Sequence, residues 1–227
     1  MRKNENIIFV VLLLLIVALV IIAVFFYRPD SVPQSIKNLS SVEVREYKGE
    51  DLSSIAAFRE NSIKGPQYVN ISNYKLEIYG LTNNPINYSY DEVLAKQNYE
   101  KVVTLHCVEG WDVTILWKGV LVRDLLDDAK PKNTANTVIL YAVDGYSTQY
   151  PLQYFYDNDI IIAYEMNNVT IPPERGYPFM LVAEDKWGYK WIKWINKIEL
   201  SNDTNYNGYW ESRGYAKEGN LNESFFG

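Results

Sequence analysis

The chain has 227 residues, 48% of them hydrophobic, with a formal net charge of −6, one cysteine and one histidine. The acidic balance argues against nucleic acid and against a polybasic membrane-surface role. The cysteine and histidine count excludes an intrachain disulfide framework, a Cys/His zinc site and a thiolate iron–sulfur cluster.

Residues 1–6 form a short N-terminal tail. Residues 7–26 are uncharged and almost wholly aliphatic or aromatic, and as a helix they would cover about 30 Å, one hydrocarbon core. No small-residue cleavage site follows, so the stretch predicts an uncleaved transmembrane anchor in a lipid bilayer. Arg2 and Lys3 precede it, while Arg28, Lys37 and Arg45 follow, a charge contest too even to set orientation. Asn-x-Ser/Thr sequons at Asn38, Asn70, Asn87, Asn168, Asn202 and Asn222 favour an extracytoplasmic domain. Residues 27–50 read as a tether and residues 51–227 as the folded domain.

Within that domain, residues 53–60 suggest a short helix. The alternation over 74–79, closed by Gly80, predicts a half-buried strand, and Asn83-Asn84-Pro85 a turn. Ser89 and Glu92 form a capping-box pattern that opens a helix to about Gln97. A strand over 101–105 delivers His106 and Cys107 to its end, before an irregular Val108-Glu109-Gly110-Trp111. Further strands are expected over 113–117, 138–143, 160–164, 179–183 and 191–200. Lys118-Gly119 is read as a turn into a helix over 122–128, and Asp144-Gly145 as another turn. The pattern is α+β with a mixed, strand-rich sheet. No glycine-rich phosphate loop of the dinucleotide or P-loop kind occurs, which argues against NAD, FAD and ATP.

Two clusters could carry chemistry. Cys107 reads either as a small buried hydrophobe or, at a strand end, as a soft metal donor, and His106 beside it as a satisfied polar group or a ligand. Trp187-Gly188-Tyr189-Lys190-Trp191-Ile192-Lys193-Trp194 reads either as an amphipathic strand with solvated lysines or as an anion site beside a permissive glycine. Tyr146, Tyr150, Tyr154 and Tyr156 could line an entrance or decorate a sheet surface.

Taken together, Thr104-Leu105-His106-Cys107-Val108-Glu109-Gly110-Trp111, Trp117-Lys118-Gly119-Val120, Asp144-Gly145-Tyr146, residues 171–178, Gly188-Tyr189-Lys190 with Lys193-Trp194-Ile195, and Gly208-Tyr209-Trp210-Glu211 resemble the sulfite-oxidase-type molybdopterin-binding domain. This family includes sulfite dehydrogenases and the methionine-sulfoxide reductase catalytic subunit. The resemblance implies that the Cys107 thiolate ligates molybdenum (tungsten being the alternative metal) beside one pyranopterin. It further implies that Gly188, Tyr189, Lys190 and Lys193 hold the pterin phosphate, and that His106 and Arg175 contact the cofactor. Met180 stands where the family often has arginine, which removes a bidentate anion donor and disfavours sulfite as substrate. The implied activity is two-electron oxo transfer on a small sulfur or nitrogen compound, the oxo donor or acceptor. Without a second redox centre in the chain, electrons must pass to or from a separate membrane haem protein or cytochrome. The alternative is a cofactor-free surface binding module on the same fold.

Overall fold

The computed structural model describes residue 16 and residues 32–227. Apart from Ile16, the anchor expected over residues 7–26 lies outside the described residues. Among those described, no helix is long and apolar enough to cross a membrane. The chain divides into two compact units, Met1–Gln34 and Ser35–Gly227, and the second contains every described strand.

The elements are α1 (Gln34–Asn38), β1 (Glu46–Tyr47), β2 (Glu50–Asp51), β3 (Leu76–Gly80), β4 (Ile86–Tyr88), α2 (Tyr90–Leu94), β5 (Asn98–His106), β6 (Asp112–Leu121), α3 (Val122–Ala129), β7 (Thr137–Ala142), β8 (Ser147–Pro151), α4 (Leu152–Asp157), β9 (Ile161–Met166), β10 (Val169–Thr170), β11 (Met180–Val182) and β12 (Ile195–Ser201). Beside the β1–β2 ribbon stand two five-stranded sheets. One runs β10-β9-β6-β5 with β11 also on β9; the other runs β4-β3-β12-β7-β8. β12 is parallel to β3, and the remaining pairs are antiparallel, so the sheet structure is mixed, as expected. Apolar side chains such as Ile78, Ile115, Trp117, Leu140 and Ile198, drawn from strands of both sheets, are fully buried.

Several expectations change in detail. Residues 35–50, expected as part of a tether, lie within the compact unit that begins at Ser35. Ile36 is fully buried. The buried Glu43 carboxylate accepts from the Ile55 amide at 2.7 Å and the Ser54 hydroxyl at 2.6 Å, as a carboxylate removed from water requires. Those bonds leave only a 3₁₀ turn, Ile55–Ala57, where residues 53–60 suggested a helix. The Ser89–Glu92 capping box forms with both of its hydrogen bonds.

Lys118-Gly119 is not a turn. β6 runs through it with a register shift against β9, because a Cβ at Gly119 would lie 2.1 Å from the Ile162 carbonyl oxygen. Strand pairing continues only because that atom is missing. The strand expected over 191–200 begins at Ile195 instead. Trp194 takes a left-handed φ of 54° and donates its indole N–H to the Pro173 carbonyl at 2.7 Å. β8 and α4 carry no clear period, since Ser147, Thr148 and Gln149 are polar yet buried.

Candidate molybdopterin site

β5 and β6 form an antiparallel hairpin whose last pair is His106↔Asp112. Strand alternation puts successive side chains on opposite faces, so Leu105 and Cys107 turn inward while His106 turns out. His106 Nδ1 pairs with Asp112 Oδ1 at 2.9 Å, with the His106 side chain 38% exposed. His106 is therefore not part of the cleft that Cys107 lines, contrary to the expected cofactor contact.

Cys107 is buried at the floor of a cleft of about 190 Å³. Its amide donates to the Trp111 carbonyl and its own carbonyl accepts from Gly110, both at 3.0 Å, which closes the turn that presents the thiol. Asn61 Nδ2 donates to Sγ at 3.9 Å. Burial pushes the thiol pKa up, and the neighbouring Glu109 amide, Asn61 and Arg59 pull it back.

The remaining walls come from the Phe58–Ile63 loop, Asp144 and Tyr146 after β7, Met180 on β11, the Gly188–Trp194 segment, and Trp210 with Tyr215. Gly188 is a close-packing position: a Cβ there would meet the His106 carbonyl oxygen at 3.1 Å and Cys107 Cα at 3.4 Å. Lys193 lines the cleft and pairs with Glu60 at 3.2 Å. Burial lowers its pKa to about 8 against the raising effect of Glu60.

Lys190 and Arg175 do not reach this cleft. Lys190 is fully buried and spends its ammonium on Glu211 at 2.7 Å and on the Gln149 and Lys217 carbonyls at 2.9 Å. A buried ammonium needs such compensation, which leaves no donor for a phosphate. Arg175 is buried too, with Nε directed at the Ile55 carbonyl at 3.4 Å and its guanidinium over the Phe58 ring. Burial lowers it to about 10. Of the seven expected site residues, Cys107, Gly188, Tyr189 and Lys193 meet in one cleft.

Arg59, Asn61, Ser62 and Asp144 are lining residues that sequence reasoning left unassigned. The first three sit on an irregular loop remote in sequence from Cys107, with no periodic signal. Asp144 is legible as a turn residue and as part of a resembling motif, with no role attached. Ser62 Oγ and Asp144 Oδ2 are buried without any hydrogen-bond partner. An unpaired buried polar atom costs about 1–3 kcal/mol, a cost that a ligand donor or acceptor can offset.

The donor set can be tested against the implied cofactor. Among the described residues no three His, Cys, Asp or Glu gather as a metal site, so a metal at Cys107 must arrive with most of its ligands. A soft thiol, one lysine ammonium, an unpaired hydroxyl and an unpaired carboxylate oxygen in one cleft fit a group that is thiophilic at one end and anionic at the other. The residues fit the pyranopterin.

Comparison with known proteins agrees. The chain is 34% identical over 155 residues to the uncharacterized oxidoreductase YuiH of Bacillus subtilis, covering 68% of this chain and 78% of that one. It is 27% identical over 163 residues to the protein-methionine-sulfoxide reductase catalytic subunit MsrP of Campylobacter jejuni, covering 64% of this chain and 54% of that protein. The fold is that of the sulfane dehydrogenase SoxCD from Paracoccus pantotrophus, with a TM-score of 0.65 at 18% identity over 85% of this chain and 57% of that one. The chain thus spans little more than half the length of the latter two. A family model described as oxidoreductase molybdopterin binding domain matches residues 63–210. The chain belongs to that family and is an oxidoreductase.

Proposed function

We propose that the protein is a membrane-anchored molybdoenzyme that transfers an oxygen atom to or from a small sulfur or nitrogen compound. The observation that carries this reading is the Cys107 thiol, facing a cleft in which Ser62 Oγ and Asp144 Oδ2 are buried without partners. When bound, the molybdenum–pyranopterin group (or its tungsten counterpart) supplies a metal that gives or takes one oxygen atom with two electrons.

The chain's own residues do the rest. Cys107 would hold the metal through its thiolate, and Lys193 would neutralise the anionic end. Ser62 and Asp144 would meet the polar edges of the pterin. Arg59, at the cleft wall beside the thiol, would orient the oxygen-bearing group of the substrate. Trp111, Trp210 and Tyr215 line the same cleft and would keep water from the reacting centre. With Met180 at the wall and Glu109 and Asp144 balancing the two cations, the cleft favours a neutral sulfur compound over sulfite. Sulfur chemistry is also what the names of MsrP and SoxCD state of those proteins.

Electrons would pass to or from a separate haem protein or cytochrome, a reading supported by the single cysteine and single histidine, which cannot build a second centre in this chain. Residues 7–26 would hold the domain at the bilayer. An extracytoplasmic location is supported by six sequon asparagines that are all solvent-exposed.

Metal analysis of protein from a cofactor-competent host tests the enzyme reading. Stoichiometric molybdenum or tungsten that disappears in Cys107→Ala is expected, and metal-free wild-type protein would refute it. For the anchor, Ser40→Cys in a Cys107→Ser background should react with an impermeant thiol reagent in intact cells. Protection there would overturn the external placement.

A further inference from the structure

The family match ends at Trp210. The next residue, Glu211, turns inward, and its carboxylate meets the Lys190 ammonium at 2.7 Å with side chains 1% and 0% exposed. Thr148 donates its hydroxyl to the same carboxylate oxygen at 2.7 Å, while the other oxygen has no partner. Farther along, the Ala216 carbonyl accepts from the Tyr189 hydroxyl at 2.7 Å. The Gly219 carbonyl accepts from the Trp187 amide at 2.8 Å, and the Leu221 amide donates to the Asp185 carbonyl at 3.0 Å. The tail thus grips residues 185–190 from one side. On the other side, Gly188 lies against the backbone of His106 and Cys107.

A buried ion pair of this kind adds little net stability relative to an apolar pair of similar volume, yet neither charge tolerates losing the other. Both charges are satisfied only when the tail and the Gly188–Lys190 turn keep this register. We propose that Glu211 is a positioning residue for the cofactor. Acting through Lys190, it fixes the Gly188–Lys190 turn against the Cys107 turn. It thereby sets the separation between the thiolate and the place where the anionic end of the cofactor is held. The proposal rests on the molybdenum–pterin reading of this cleft and assigns a role to a residue to which the resemblance gives none.

The test uses holoenzyme carrying either the neutral pair Lys190→Met/Glu211→Leu or the milder Thr148→Val. Three quantities are read: melting temperature, the rate at which pterin is released on incubation, and the Mo(V) electron paramagnetic resonance spectrum. The neutral pair should melt within a few degrees of wild type, relief of two desolvated charges offsetting the partners lost by the Thr148 hydroxyl and the Gln149 and Lys217 carbonyls. It should nevertheless release pterin about tenfold faster, as loss of an outer-shell support does, with a shifted spectrum. Thr148→Val, short of one hydrogen bond, should release it about threefold faster. Wild-type release and spectra in Thr148→Val, or in a folded neutral pair, would overturn the proposal; should the pair not fold, Thr148→Val decides alone. Wild-type protein without metal would instead remove the cofactor reading, and the positioning role with it.

Discussion

Lys190 and Lys193 lie within one short segment, and their surroundings differ in kind. Around Lys190 every donor is used, on a carboxylate and two carbonyls, and the group is sealed from solvent. Around Lys193 the ammonium has one carboxylate partner at 3.2 Å and borders a cleft that also holds two unpaired buried oxygens. A buried charge with all its bonds made belongs to the architecture, whereas incomplete bonding around a concavity marks a place for a ligand. Both lysines look alike in a motif, and only their partners separate them.

The contrast can be pushed hardest at the open region. Cys107→Ala should abolish metal binding and lower activity by more than about 100-fold, the upper end of what loss of an outer-shell support costs. Metal analysis and turnover together check this. At the sealed region, Lys190→Ala should cost the apo-protein about 3–5 kcal/mol in urea unfolding, because Glu211 is left buried and uncompensated. A cost near zero would mean that Lys190 is not the structural partner described.

Lys193 sharpens the comparison through pH. Its folded pKa of about 8 lies below its usual 10.5, so between those values the unfolded chain holds a proton that the folded chain has released. This group therefore makes the fold more stable as pH rises through that window. Anion binding runs the opposite way, since it needs the ammonium. The affinity of the apo-protein for sulfate, whose charge does not change in this range, should fall by up to about tenfold per pH unit above pH 8, as followed by calorimetry. Lys193→Met should be weaker and pH-independent. The smallest effect is expected at His106, whose half-exposed pair with Asp112 contributes little: His106→Ala should keep metal content and turnover within about twofold.

What could be read in advance follows the same physics. Strands such as β3 and β5 show because one face is apolar and the period is two, and α2 shows because Ser89 and Glu92 state its cap. The place of Cys107 at the end of a strand was legible from the pattern before it. That His106 points away from the cleft follows from strand alternation, since adjacency in sequence is opposition in a strand. The burial of Lys190 was not legible, because its partner, Glu211, is brought in by the tail. β8 escaped notice because its buried face is polar, its two hydroxyls and the Ser147 carbonyl being satisfied by the distant residues Tyr206, Glu211 and Tyr209. The Arg59–Ser62 loop has no local pattern at all.

The absent side chain at Gly119 bears on the site from a distance. β6 lies so close to β9 there that no methyl group fits, and the same β6 continues in unbroken register with β5 down to the His106↔Asp112 pair. The hairpin therefore behaves as a gauge rod with one end seated in a slot a single atom wide. Gly119→Ala would lift the seated end, and the displacement would be delivered at the far tip, where the thiol is. The address of Cys107 is thus written into the spacing of two strands as well as into the turn that carries it.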